Sequence, residues 1–112
     1  MQEALRTYKA GVFQALSHPT RIAILEVLRD RELSARTIQE TLGVEQANLS
    51  QHLAILRSRQ IVANRKDGNQ VFYSIRHPVI VEVLDVMRRY FQTNLTDAIQ
   101  MLEELEREVS AQ

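Results

Sequence analysis

The sequence predicts a mainly α-helical fold carrying one small β-hairpin, and three observations lead there. Through most of the chain, apolar residues recur three and four positions apart, which places them on one face of a helix. Gly43 separates two of these helical segments by only a few residues, the connection of a helix-turn-helix. The period then changes, and two β-patterned runs, Ile61 to Lys66 and Gln70 to Ile75, flank Asp67-Gly68-Asn69. Helices, a tight turn and a following hairpin make a winged helix-turn-helix. Residues 1–112 are expected to form one such domain.

Each element has its own signal. Leu5, Tyr8, Val12, Phe13 and Leu16 share a face in a first helix from Gln2 to Leu16. Ser17-His18-Pro19 breaks and restarts the chain, with Pro19 at a first helical position where its missing N–H costs nothing. The second helix, carrying Ile22, Ile24, Leu25 and Leu28, runs to about Leu28. Ser34 is placed to cap a short third helix containing Ile38 and Leu42, which Gly43 ends. A fourth helix is expected from roughly Glu45 to Arg59, its apolar side made by Leu49, Leu53 and Leu56. In the hairpin, Asp67-Gly68 or Gly68-Asn69 supplies the positive φ that a tight turn requires. Pro78 opens a long final helical region. A bend is expected near Gln92 to Thr96, because Thr and Asn form helix weakly, so the region from 78 to 112 reads as more than one helix.

Composition narrows the function. The chain has 112 residues, the size of one domain, and 45% hydrophobic residues, ordinary for a globular protein. No apolar run approaches the ~20 residues that span a bilayer, and the N-terminus lacks the pattern of a signal peptide, so a cytoplasmic protein with no membrane partner is expected. The absence of cysteine excludes disulfides, thiolate metal sites and thiol redox sensing. Net charge is zero, but unevenly spread. Residues 17–77 hold nine Lys or Arg against six acids, whereas residues 78–112 hold three Arg against seven acids. The basic segment is the one that contains the helix-turn-helix and hairpin.

The fourth helix has a polar side opposite its leucines: Gln46, Asn48, Ser50 and Gln51, with His52 at the margin, all five expected to project toward DNA. Short amide and hydroxyl groups of this kind reach base edges in a major groove, so double-stranded DNA is the expected partner. In the hairpin, Arg65 and Lys66 are expected on phosphates, with Asn69 beside them in the turn. Arg57 and Arg59 end the helix, where they serve either phosphate contact or the helix dipole. Arg21 is expected in a structural ion pair, and His18 as a cap. The first and last helices present Leu5, Tyr8, Val12, Leu84, Met87, Tyr90 and Phe91, more apolar surface than so short a chain covers by itself. A two-fold homodimer interface on residues 1–16 and 78–112 follows, leaving residues 17–77 as the DNA-binding head and wing.

Three segments carry a resemblance to a known family. They are Leu16-Ser17-His18-Pro19-Thr20-Arg21-Ile22-Ala23-Ile24-Leu25, the run Asn48 to Arg57, and the hairpin Arg65-Lys66-Asp67-Gly68-Asn69-Gln70-Val71-Phe72-Tyr73. In order and spacing they resemble the ArsR/SmtB family and cover most of the chain. The resemblance implies a homodimeric bacterial or archaeal transcriptional regulator, usually a repressor, whose outer helices form the dimer. Many members sense metals through cysteines on the third helix, or through Asp, His and Glu on the fifth. Here the third helix has no thiol, and Glu82 and Asp85 on the fifth are followed by Arg88 and Arg89 where nitrogen ligands would be wanted. No metal site and no cofactor are expected, and any effector is an unidentified small molecule or protein. No phosphate loop or nucleophile grouping points to an enzyme. Two other readings stay open: a winged-helix module for protein interaction, and a repressor sensing metal through O and N ligands alone, such as His77 with Glu82 across a dimer.

Overall fold

The computed structural model describes residues 1–111. Five helices and three short strands follow in the order α1 (Gln2–Leu16), α2 (Pro19–Val27), β1 (Leu33–Ser34), α3 (Ala35–Leu42), α4 (Gln46–Ser58), β2 (Val62–Asp67), β3 (Gln70–Ile75) and α5 (Val79–Ala111). By contacts the chain divides into two compact units. The first, here the head, is Met1–Val81, and the second begins at Glu82.

The head is built on its apolar helix faces. Ile24 and Leu25 of α2, Leu28 just after it, Ile38 of α3, and Leu49, Leu53 and Leu56 of α4 are all buried, together with Ile61 and Val62. The helical members of this set are positions that helical spacing marked, although Ile22 and Leu42, marked in the same way, are only half-buried, and the leucine side of α4 lies inward as expected. α1 contributes Gly11, Ala15 and Leu16 to the buried set. Its outer residues Leu5, Tyr8 and Phe13 are exposed.

Helix ends follow their local chemistry. The Ser34 hydroxyl accepts the Thr37 N–H at 3.1 Å at the start of α3. Gly43 ends that helix in the left-handed conformation, φ 65°, with its N–H donating to the Gln39 carbonyl at 2.8 Å. α4 closes with a Schellman arrangement: Gln60 N–H donates to Arg57 O at 2.9 Å and Ile61 N–H to Leu56 O at 3.0 Å. Gln60 takes φ 58° there, a conformation that costs a residue with a Cβ. Ile61 and Leu56, both buried, supply the apolar contact that accompanies this motif.

The hairpin pairs β2 with β3 antiparallel from Val62↔Ile75 to Asp67↔Gln70. Its two-residue turn is Gly68-Asn69, and only Gly68 has positive φ, at 64°, as in a type II′ turn. A third strand, β1, lies against β3 (Leu33↔Tyr73, Ser34↔Phe72), giving the sheet order β1-β3-β2. Two residues are too few to show alternation, so β1 escapes a reading by periodicity.

α5 departs from expectation. It is one helix of 33 residues with no break between Gln92 and Thr96, in place of several C-terminal helices. The Thr93 and Thr96 hydroxyls donate to the carbonyls of Arg89 and Gln92, four residues back, at 2.9 and 3.0 Å. That bond occupies the side chains within the helix, so weak propensity does not end it. Among the described residues no helix is long and apolar enough to cross a membrane.

Candidate nucleic-acid interface

α4 presents two faces of opposite character. Leu49, Leu53 and Leu56 are at most 3% exposed, while Gln46, Asn48, Ser50, Gln51, Ala54 and Arg57 on the other side are exposed. The helix starts at Gln46, with Glu45 at its N-cap making no side-chain cap bond. An exposed row of amides and a hydroxyl therefore begins at the first turn. α3, held by the Ser34 cap and ended by Gly43, sets the angle at which α4 leaves.

His52, expected with that row on DNA, is instead turned to neighbours within the head. It is half-buried, and its Nδ1 lies 3.1 Å from Arg21 Nη1. A guanidinium has donors only, so His52 Nδ1 is the acceptor and carries no proton. The His52 ring also rests against the His18 ring, with centroids 4.3 Å apart. Burial, with smaller contributions from His18 and Arg21, holds the His52 pKa below its ordinary value. His18 caps α2 as expected, its Nδ1 accepting the Thr20 N–H at 3.1 Å.

Arg21, expected in an ion pair, instead donates to backbone carbonyls and approaches His52 among the described residues. Its Nε donates to the Ala15 carbonyl at 2.5 Å and its Nη2 to the Gln14 carbonyl at 3.2 Å. Both are carbonyls of the last turn of α1, and the Gln14 carbonyl also accepts the N–H and hydroxyl of Ser17. One guanidinium thus ties the end of α1, the start of α2 and the middle of α4. No periodicity reveals this joint, because its parts lie 31 residues apart in the chain.

Arg59 is exposed, with its guanidinium lying against α1 at Gly11. A Cβ placed on Gly11 would fall 2.6 Å from its guanidinium carbon, so Gly11 gives this side chain room against α1. Arg57, two residues earlier, is exposed as well.

In the wing, Arg65 is already engaged. Its Nε and Nη2 donate to the two carboxylate oxygens of Glu32 at 2.9 and 2.6 Å, a bidentate pair. Nη1 lies 3.6 Å from Asp67, and the guanidinium sits 4.7 Å over the ring of Phe72, its cross-strand neighbour. The hydrogen bond from Arg65 holds the Glu32 carboxyl below its ordinary pKa. Lys66 and Asn69 are exposed at the hairpin tip. Of the expected dimer residues, Leu5, Tyr8, Met87, Tyr90 and Phe91 are exposed, while Val12 and Leu84 are half-buried.

Comparison with known proteins agrees with this architecture. A profile described as a helix-turn-helix domain matches residues 16–63, from the end of α1 into β2. The uncharacterised HTH-type transcriptional regulator Rv0081 of Mycobacterium tuberculosis is 43% identical over 104 residues, covering 92% of this chain and 91% of that protein. Its crystal structure superposes with a TM-score of 0.77 over 85% of this chain and 96% of that one. The transcriptional repressor SdpR of Bacillus subtilis is 28% identical over 78% of this chain and 97% of its own length. A homodimeric winged helix-turn-helix DNA-binding domain from Mycobacterium bovis, Mb0332, shares the fold with a TM-score of 0.76 over 84% of this chain and 87% of that one, at 24% identity. The chain belongs to the ArsR/SmtB-type family of winged helix-turn-helix transcriptional regulators.

Proposed function

We propose that this protein is a cytoplasmic, DNA-binding homodimer that represses transcription by occupying an inverted-repeat operator, acting by binding and not by catalysis. One observation carries the reading: the amide and hydroxyl face of α4 is open while its leucine back is locked into the head. Gln46, Asn48, Ser50 and Gln51 read base edges in a major groove, with Arg57 on the flanking backbone. Lys66 and Asn69 follow the adjacent phosphates, and Arg65 positions the wing through Glu32. His52 serves the joint with Arg21 that sets the height of α4.

A two-fold dimer presents two such helices, so the half-sites lie about one helical turn apart. Leu5, Tyr8, Val12, Leu84, Met87, Tyr90 and Phe91 supply the interface between copies. Support comes from the similarity to SdpR, named a repressor, and from the homodimeric fold of Mb0332.

Selection of bound fragments from the source genome, followed by retardation assays at several salt concentrations, tests the reading. An inverted repeat should emerge, bound with an affinity that falls as salt rises. Failure to retain any duplex at low salt, with a single protein co-purifying, would favour the interaction module instead.

A further inference from the structure

We propose that the joint between His52 and Arg21 makes operator binding proton-dependent, a proton on His52 Nδ1 unseating α4 and releasing the operator in acid. This regulation rests on the DNA-binding reading above and deepens it.

The geometry sets the protonation state that a seated α4 requires. Arg21, on α2, places its Nη1 3.1 Å from His52 Nδ1 on α4. The same guanidinium donates to the Ala15 and Gln14 carbonyls at the end of α1. One arginine thus holds three acceptors on two other helices, and it has no lone pair to offer any of them. A proton on Nδ1 turns the third acceptor into a donor that faces a donor. Arg21 Nε and Nη2 remain engaged on α1, so the repulsion falls on His52 and on the helix that carries it.

The surroundings do not compensate the added charge. His18 and Arg21 face His52 from α2 and its N-cap, and the two imidazole rings lie 4.3 Å apart. Burial first, then His18 and Arg21, hold the His52 pKa below its ordinary value. Glu26, the other charged residue of α2, is exposed in its last turn. α1 meets the joint with backbone carbonyls, and its charged residues Glu3, Arg6 and Lys9 are exposed in its first half. On α4 itself, Glu45 at the N-cap is about 10 Å away along the axis, and Arg57 and Arg59 are exposed at the other end. β2 carries Arg65, Lys66 and Asp67 on its exposed outer half, where Arg65 is held by Glu32.

Position links this joint to DNA. His52 follows Ser50 and Gln51 directly, so a shift of its ring away from Arg21 carries the exposed amide row with it. Base edges are read only from a row held in fixed geometry, whereas phosphate contacts carry no sequence information. Protonation should therefore separate two kinds of binding. Specific binding falls, while non-specific binding, which gains a positive charge, does not.

Affinity for the duplex recovered by genomic selection, and for random duplex of equal length, is to be measured between pH 7.5 and 5.5. Operator affinity should fall in acid, approaching tenfold per pH unit for one excluded proton, while random duplex binding holds or rises. His52→Gln, whose amide oxygen can accept from Arg21 but cannot titrate, should flatten the operator profile. Arg21→Met, with no donor, should weaken operator binding at pH 7.5 about tenfold, the worth of one hydrogen bond, and flatten the profile as well. His18→Asn keeps a capping group without an imidazole and should retain the pH dependence. Its loss there would move the proton to His18 and overturn the proposal. Titration of the His52 ring by NMR supplies the reciprocal measurement: operator should lower its pKa further, whereas a ring merely near phosphates is raised. Operator affinity independent of pH, equal loss on random duplex, or a His52 pKa raised by operator would each overturn the proton linkage and leave DNA binding standing. Absence of any duplex preference at pH 7.5 would remove the DNA-binding reading and the linkage with it.

Discussion

The two units of this chain treat apolar surface in opposite ways. In the head, Ile24, Leu25, Leu28, Ile38 and Leu56 are at most 1% exposed, and what faces solvent on α4 is polar. In α5, no residue is buried, and Met87, Tyr90, Phe91, Leu95, Leu102 and Leu105 all stand about half exposed or more. The difference is one of self-sufficiency. The helices of the head bury apolar side chains, while no residue of the 33-residue α5 is buried. The head is therefore expected to hold its shape alone, and α5 to depend on concentration.

Replacing core residues in the two units should expose this contrast most strongly. Leu56→Ala removes a fully buried side chain and should cost about 2–5 kcal/mol in urea unfolding, at any protein concentration. Leu102→Ala should instead lower the melting temperature by an amount that shrinks as protein is diluted, because it acts through association. A concentration-independent effect at Leu102 would break the comparison.

On the open face of the head, Gln51→Ala should cost about 1–3 kcal/mol on the selected operator and relax base preference, as measured by competition binding. Equal loss on random duplex would remove Gln51 from base reading. Stability should change little, since the side chain is exposed.

Gln60→Gly sharpens the head side of the contrast by improving it. The left-handed residue at the end of α4 suits glycine, so unfolding free energy should rise by about 1 kcal/mol. A decrease would mean that the Gln60 side chain contributes more than its strained backbone costs.

Within the wing, the two cations should separate. Lys66→Ala should flatten the dependence of log affinity on log salt by about one ion. Arg65→Ala should move that slope less, because Glu32 and Asp67 already offset its charge. Identical slopes for the two variants would place Arg65 on phosphate after all.

The smallest effect is expected from pH. An unfolded histidine titrates near 6.5, and the folded His52 pKa lies below that value. The unfolded chain therefore takes up a proton that the folded head resists. Stability should be full above pH about 6.5 and decline as pH falls towards the folded pKa, because burial, and to a smaller extent His18 and Arg21, disfavours the charged ring. His52→Gln, unable to take up that proton, should flatten the decline in a pH series of thermal melts. An unchanged slope would detach His52 from the joint.

How much of this was legible beforehand differs by element. The caps at His18 and Ser34, the terminator Gly43 and the turn glycine Gly68 act through neighbours in sequence, so their roles can be read residue by residue. The leucine side of α4 and its polar opposite follow from a 3.6-residue period. By contrast, β1 is two residues long and exists only because β3 lies beside it. Arg65 reads as a phosphate contact in the sequence because its partner, Glu32, is 33 residues away. The unbroken α5 ran against local propensity, as Thr93 and Thr96 bonded back to their own helix.

By itself, then, the order of residues determined the helices of the head, their ends, the hairpin and the polar row on α4, since each depends on periodicity or on groups a few bonds apart. Tertiary structure alone decided which polar side chains remain available. It drew His52 and Arg21 into a joint and Arg65 onto Glu32, because a buried or charged group takes its partner from whichever segment the fold brings within hydrogen-bond reach, regardless of separation along the chain.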